Sequence, residues 1–129
     1  MSTTLEQLYQ NAATLINRTI PEPWDTVWLQ VEIHSDESGG GGAGFYNTKN
    51  APDVVHYFDF GPDYYAVWFD IWRFFQEQRK HPWSTATFIL QASGKFDIQF
   101  GYQDLLAENE YDRRLAWEKT HLGDKEIRY

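Results

Sequence analysis

The chain reads as an α+β domain: a five-stranded antiparallel sheet, in the order α-β-β-β-α-β-β-α, with its helices packed on one face. Two periodicities and one set of breaks predict it. Apolar residues alternate with polar ones at 27–33 and again at 96–102, the period of a half-buried strand. They recur at helical spacing over 5–20 and cover a wide arc over 64–75. Proline and glycine punctuate the gaps at Pro21, Pro23, Gly61, Pro62 and Gly94. No repeat or linker interrupts residues 1–129, so a single domain is expected.

The first helix opens at Thr3-Thr4-Leu5-Glu6, a capping box with Thr3 as N-cap and Glu6 reaching back. Leu5, Leu8, Tyr9, Ala12, Ile16 and Ile20 form its buried stripe, Leu15 widens it, and Pro21 and Pro23 stop it. Asp25 to Ser35 is the first strand. Val27, Leu29, Val31 and Ile33 face the core, while Trp28, Gln30, Glu32 and His34 face outward. Asp36 to Gly42, polar and then all glycine, reads as a flexible loop; Gly44 to Thr48 and Val54 to Phe60 complete a meander.

Gly61-Pro62-Asp63 starts the second helix, with Pro62 suited to its first turn. Its polar strip is only Ala66, Asp70, Arg73 and Glu77, with Arg73 spaced to pair with Asp70 and Glu77. So apolar a helix needs cover on two sides. The sheet supplies one; the first helix, a twin subunit in a homodimer, or a partner supplies the other. Thr85 to Ala92 and Lys95 to Tyr102 form a hairpin, with Ser93-Gly94 as a two-residue turn and Gly94 at positive φ. Glu108 to Thr120 is the last helix. Tyr111, Leu115 and Leu122 share its buried face, Arg113 and Trp117 are spaced for a cation–π pair, and Gly123 ends it.

Composition narrows the function. The absence of cysteine removes disulfides, thiolate metal sites and thiol nucleophiles, and favours the cytoplasm. The first ten residues have neither the basic start nor the apolar run of a signal peptide, and no stretch is long and apolar enough to span a bilayer. A net charge of −8 disfavours direct nucleic-acid binding, which needs a basic footprint, and suits a basic protein partner. Nine Phe, eight Tyr and six Trp supply both core and interface anchors.

Catalytic wording is sparse. Glu32-x-His34-x-Asp36 lies on one strand face and offers part of a metal site, with His56 as a distant third ligand, but no second histidine is spaced to complete it. His81 and His121 fall in no ligand spacing. The glycine run lacks the Lys-Ser/Thr ending of a phosphate loop, and no G-x-S-x-G elbow is present. No catalytic residue, metal or cofactor is therefore assigned.

The run from Pro82 is more specific. Pro82-Trp83, Thr87-Phe88, Ser93-Gly94-Lys95-Phe96, Tyr102-x-Asp104-Leu105, Arg113-Arg114-x-x-Trp117 and Leu122-Gly123, together with Ile20-Pro21-Glu22-Pro23-Trp24 ahead of the first strand, resemble the YezG-like immunity (antitoxin) family. The resemblance implies a small cytoplasmic protein, not an enzyme, that binds and neutralises a cognate polymorphic toxin, commonly a nuclease domain. Carboxylates on a sheet edge can imitate phosphates to a basic nuclease, which points to Glu32, Asp36, Glu37, Asp59, Asp97, Asp104, Glu108 and Glu110. Trp28, Trp68 and Trp72 are the candidate apolar anchors. Two other readings are a secretion chaperone or adaptor for the toxin, and a small metal-dependent enzyme built on the Glu32-His34-Asp36 face.

Overall fold

The computed structural model describes residues 4–34, 39–78 and 83–129. In chain order the elements are α1 (Leu5–Thr19), β1 (Thr26–Ile33), β2 (Gly40–Thr48), β3 (Ala51–Phe58), α2 (Pro62–Glu77), β4 (Thr85–Gln91), β5 (Phe96–Gly101), α3 (Glu110–His121) and β6 (Glu126–Arg128). The class is α+β as expected, but the sheet has six strands, in the order β5-β4-β1-β2-β3-β6. It is mixed, because β6 runs parallel to β3 while the other pairings are antiparallel. Three residues of Glu-Ile-Arg carry too little periodicity to announce a strand, which is why β6 went unread.

One side of the sheet carries the main core. Leu8, Ala12, Leu15 and Ile16 of α1 and Tyr64, Trp68, Ile71 and Trp72 of α2 pack on Val27, Leu29, Val31 and Ile33 of β1 and on Ala86, Phe88 and Leu90 of β4. The wide apolar arc of α2 is thus covered within the chain, by α1 and the sheet. The strip Ala66, Asp70, Arg73, Glu77 is exposed as read, but Arg73 lies over the Phe69 ring, 6.0 Å from its centroid.

The helices do not share one face. α3 covers the opposite side, where Trp28, Ala43, Phe45, Val55 and Leu122 form a second, smaller core flanked by Tyr57, Ile89, Trp117 and Ile127. Trp28, Gln30 and Glu32, expected to face outward, are therefore buried.

Several local readings shift. The capping box falls one residue later: Thr4 Oγ1 accepts from the Gln7 N–H (3.1 Å) and Gln7 Oε1 from the Thr4 N–H (3.0 Å), while Thr3 lies outside the described residues. Gly40, Gly41 and Gly42 belong to β2, not to a loop. The reason is close approach: a Cβ on Gly42 would sit 2.0 Å from the Gln30 carbonyl oxygen and 3.2 Å from the Phe60 ring. The β4–β5 turn is longer by one residue. The Gly94 N–H donates to the Gln91 carbonyl (2.9 Å) and the Gln91 N–H to the Lys95 carbonyl (2.8 Å), leaving Ala92, Ser93 and Gly94 as the loop. Gly94 does take a positive φ, +95°.

Candidate partner-binding surface

The layer built by α3 is unlike the other helices, because its inward side is polar. Asn109 caps it, Oδ1 accepting from the Asp112 N–H at 2.8 Å, and this sets the register that turns Arg113 toward the sheet. Arg113 is 8% exposed and meets Glu32, 5% exposed, in a bidentate pair: Nε to Oε2 at 2.7 Å and Nη2 to Oε1 at 2.9 Å. Nη1 donates to the carbonyls of Leu105, at 2.7 Å, and Glu108. One guanidinium therefore ties together β1, the segment before α3 and α3 itself. The Glu32 carboxylate holds Arg113 above the usual arginine value.

Further bonds secure the layer. Trp117 Nε1 donates to Thr87 Oγ1 (2.9 Å), and its ring stacks on Phe45 with centroids 5.6 Å apart. Arg114 Nη2 reaches the Gly42 carbonyl at 3.1 Å, and the Tyr129 hydroxyl donates to the buried Glu118 carboxylate at 3.1 Å. Arg113 and Trp117 thus use their polar groups on the sheet, and the expected pairing of the two with each other gives way to Glu32 and Phe45. The buried face of α3 is correspondingly Arg113, Glu118 and, just beyond the helix, Leu122, whereas Tyr111 and Leu115 point to solvent, 70% and 45% exposed. Gly123 ends the helix as read, at φ +60°.

Trp83, Thr87, Phe88 and Arg113, among the residues that carried the family resemblance, are scaffold, whereas Lys95, Tyr102 and Asp104 are exposed. The Trp83 carbonyl accepts from Trp72 Nε1 (2.9 Å), Thr87 and Arg113 anchor α3, and Phe88 fills the core. Phe96 is half exposed at the sheet edge, against Tyr9 and Phe88. Pro82 lies outside the described residues.

The residues proposed to meet a partner divide sharply. Trp68 and Trp72 are fully buried and Trp28 nearly so, beneath Lys125 at 5.9 Å; none presents a face to a partner. Glu32 is consumed by Arg113. Asp36 and Glu37 lie outside the described residues. Asp59, Asp97, Asp104, Glu108 and Glu110 are exposed, as is Asp112. Among the described residues no three His, Asp or Glu side chains gather to hold a metal. With Glu32 paired and His56 stacked on Tyr46, the Glu32-His34 face is not assembled as a ligand set. No described helix is long and apolar enough to cross a membrane.

Two features of the α3 side escaped the sequence reading. The first is an exposed apolar run, Leu106, Tyr111 and Leu115, set among Asp104, Glu108, Glu110 and Asp112. The second is a cleft of about 320 Å³ between α3 and the β4–β5 strands, with a mixed polar and apolar lining that includes Gln30, Thr87, Phe100, Trp117, Thr120 and His121. His121 packs on Trp117, centroids 4.9 Å apart, and burial lowers its imidazole below the ordinary value of 6.5.

That shift has a testable sign. Below the unfolded value the native state binds fewer protons than the unfolded chain. Stability fully present above pH 6.5 is therefore lost as the pH falls from there to the folded value. The urea midpoint of the wild type should fall more steeply than that of His121→Gln between about pH 7 and pH 5. Parallel curves would remove His121 as the cause.

Comparison with known proteins identifies the family. The family described as "Immunity protein YezG-like" matches residues 5–127. Immunity protein YezG of Bacillus spizizenii is 29% identical over 133 aligned positions, covering 90% of this chain and 81% of the relative. Immunity protein YezG of Bacillus subtilis is 26% identical, covering 92% and 88%. The type VII secretion system protein EsaG of Staphylococcus aureus is 27% identical, covering 78% and 69%. With a match spanning nearly its whole length, the chain belongs to the YezG-like immunity protein family and is a non-enzymatic protein.

Proposed function

We propose that this protein acts in the cytoplasm by binding a cognate toxin whose active domain is a basic nuclease, and that it blocks that domain by occupying it. Family membership supports the immunity role. The observation that carries the finer reading is the outer side of residues 104–115. Leu106 is 85% exposed, and it shares this segment with the exposed Tyr111 and Leu115 and with four carboxylates. An apolar anchor ringed by charge is the anatomy of an interface hot spot. Its negative charge suits a protein that grips phosphates with Lys and Arg, and steers encounter with it. Asp59 and Asp97 remain candidates for the rim, while Trp28, Trp68 and Trp72 leave the interface.

Co-expression tests the reading. Cells producing the cognate toxin domain should survive only with this chain. Neutralising the ring (Asp104→Asn, Glu108→Gln, Glu110→Gln, Asp112→Asn) should slow association roughly tenfold and flatten its salt dependence, with dissociation little changed. An on-rate untouched by the four substitutions would reject steering, and death of cells carrying the wild type would reject the whole reading. A second reading draws on the relative described as a type VII secretion system protein. It makes this chain an export adaptor, which would bind the toxin and leave its nuclease activity intact in the purified complex.

A further inference from the structure

We propose that β5 is the seam of a homodimer, pairing edge to edge with β5 of a second copy so that the sheet continues across both chains. Such a dimer is independent of how a toxin is held.

β5 is one edge of the sheet; the opposite edge, β6, is only three residues long. The Gln91 N–H donates to the Lys95 carbonyl, while the next N–H, of Ala92, donates to Asp25 on the other side of β4. Alternation along the ladder therefore turns the N–H and C=O groups of Lys95, Asp97 and Gln99 toward β4 and those of Phe96, Ile98 and Phe100 outward. These outward groups have no backbone partner among the described residues. Exposed edges are commonly blunted by proline or a bulge. β5 has neither, and its register with β4 runs unbroken from Thr85–Gly101 to Leu90–Phe96.

The sequence of β5 is its own complement. Antiparallel pairing centred on Ile98 joins all the outward residues: Phe96 to Phe100 of the second copy, Ile98 to Ile98, and Phe100 to Phe96. The side chains agree with that register. Phe96, Ile98 and Phe100 lie on the α1–α2 side in both copies, and the exposed Asp97 stands opposite the exposed Gln99, a carboxylate facing an amide donor. Centring on Asp97 instead would set two carboxylates face to face. The favoured register also carries Tyr102, 60% exposed, opposite Gly94 of the second copy. Gly94 lines a groove of about 380 Å³ between α1 and the β4–β5 turn, with Tyr9, Trp24, Leu90 and Phe96 among its walls. The groove thus lies where the neighbour's ring arrives.

Analytical ultracentrifugation of the full chain should show a concentration-dependent dimer in the micromolar range. Phe96→Pro removes an outward donor at the first strand position, where the β4 ladder does not use it, and should raise the dissociation constant about tenfold or more. Tyr102→Ala, at an exposed position, should raise it about tenfold. Cross-linking reads the register, since the chain has no cysteine of its own. A mixture of Asp97→Cys and Gln99→Cys chains should oxidise to a disulfide dimer, because facing positions of this kind lie about 4.5 Å apart at Cα. Either chain alone should not, its two cysteines standing about 7–8 Å apart on the diagonal. Melting temperatures identify a misfolded Phe96→Pro, in which case the cysteine mixture decides. A wild type that is monomeric at every concentration, or cross-linking that ignores the register, overturns the seam. So does wild-type dimerisation in both Phe96→Pro and Tyr102→Ala. A monomeric wild type whose binding to the cognate toxin domain is lost in Phe96→Pro would also overturn it, and would assign the edge to a toxin strand.

Discussion

Arg113→Ala should destabilise the protein by about 3–5 kcal/mol, the cost of leaving one member of a buried ion pair alone. The substitution strands the Glu32 carboxylate beneath α3 with only the Gln30 amide near it, and deprives the Leu105 and Glu108 carbonyls of their donor. Against a total stability of roughly 5–15 kcal/mol, that is a large fraction. The pair need not itself be strongly stabilising, since burying two charges offsets much of their attraction. Glu32→Leu combined with Arg113→Met should therefore recover most of the loss. Urea unfolding of the two single variants and the double decides it. The Arg128–Glu126 pair, 60% exposed on both sides, is the internal control and should contribute less than about 1 kcal/mol. An Arg113→Ala loss no larger than that of the control would mean that water reaches Glu32 freely.

Trp72→Ala should cost a similar about 3–5 kcal/mol by a different route. Trp72 is fully buried between the sheet and the helix pair, stacks on Phe69 with centroids 5.7 Å apart, and donates Nε1 to the Trp83 carbonyl. Alanine leaves a cavity that its stiff aromatic neighbours cannot fill, and it orphans that carbonyl. Trp72→Phe keeps most of the volume and loses only the N–H, so its cost should lie well below that of alanine. Chemical denaturation of both variants separates cavity from hydrogen bond. Equal losses would assign the whole effect to the Trp83 contact.

What could be read from the residues alone follows the strength of their periodicity. α1, β1, α2 and the β4–β5 hairpin were legible because each repeats its apolar residues at one period over several turns or pleats. β2 was half hidden, since glycine has no side chain with which to signal a strand, and its role there is to admit a neighbouring backbone. α3 misled because its inward face is Arg113 and Glu118, and hydropathy cannot tell a buried, paired charge from a solvated one. That single misreading placed all the helices on one face and turned Glu32 and Trp28 toward solvent. Trp68 and Trp72 were read as anchors because tryptophan serves cores and interfaces alike; the cover given by α1 decides between them. The exposure of Asp97, Asp104, Glu108 and Glu110 was legible, being the ordinary fate of an acid outside a buried ion pair. The cleft was not, because it exists only where Gln30, Gln99 and Trp117, distant in sequence, are brought together.

The separation of the two cores by one sheet has an evolutionary consequence. Leu106, Tyr111 and Leu115 project from a platform whose cohesion lies elsewhere, so exchanging them should shift foldedness by only about 0.5 kcal/mol. Substitution can therefore redraw that outer relief one codon at a time while the skeleton stays whole.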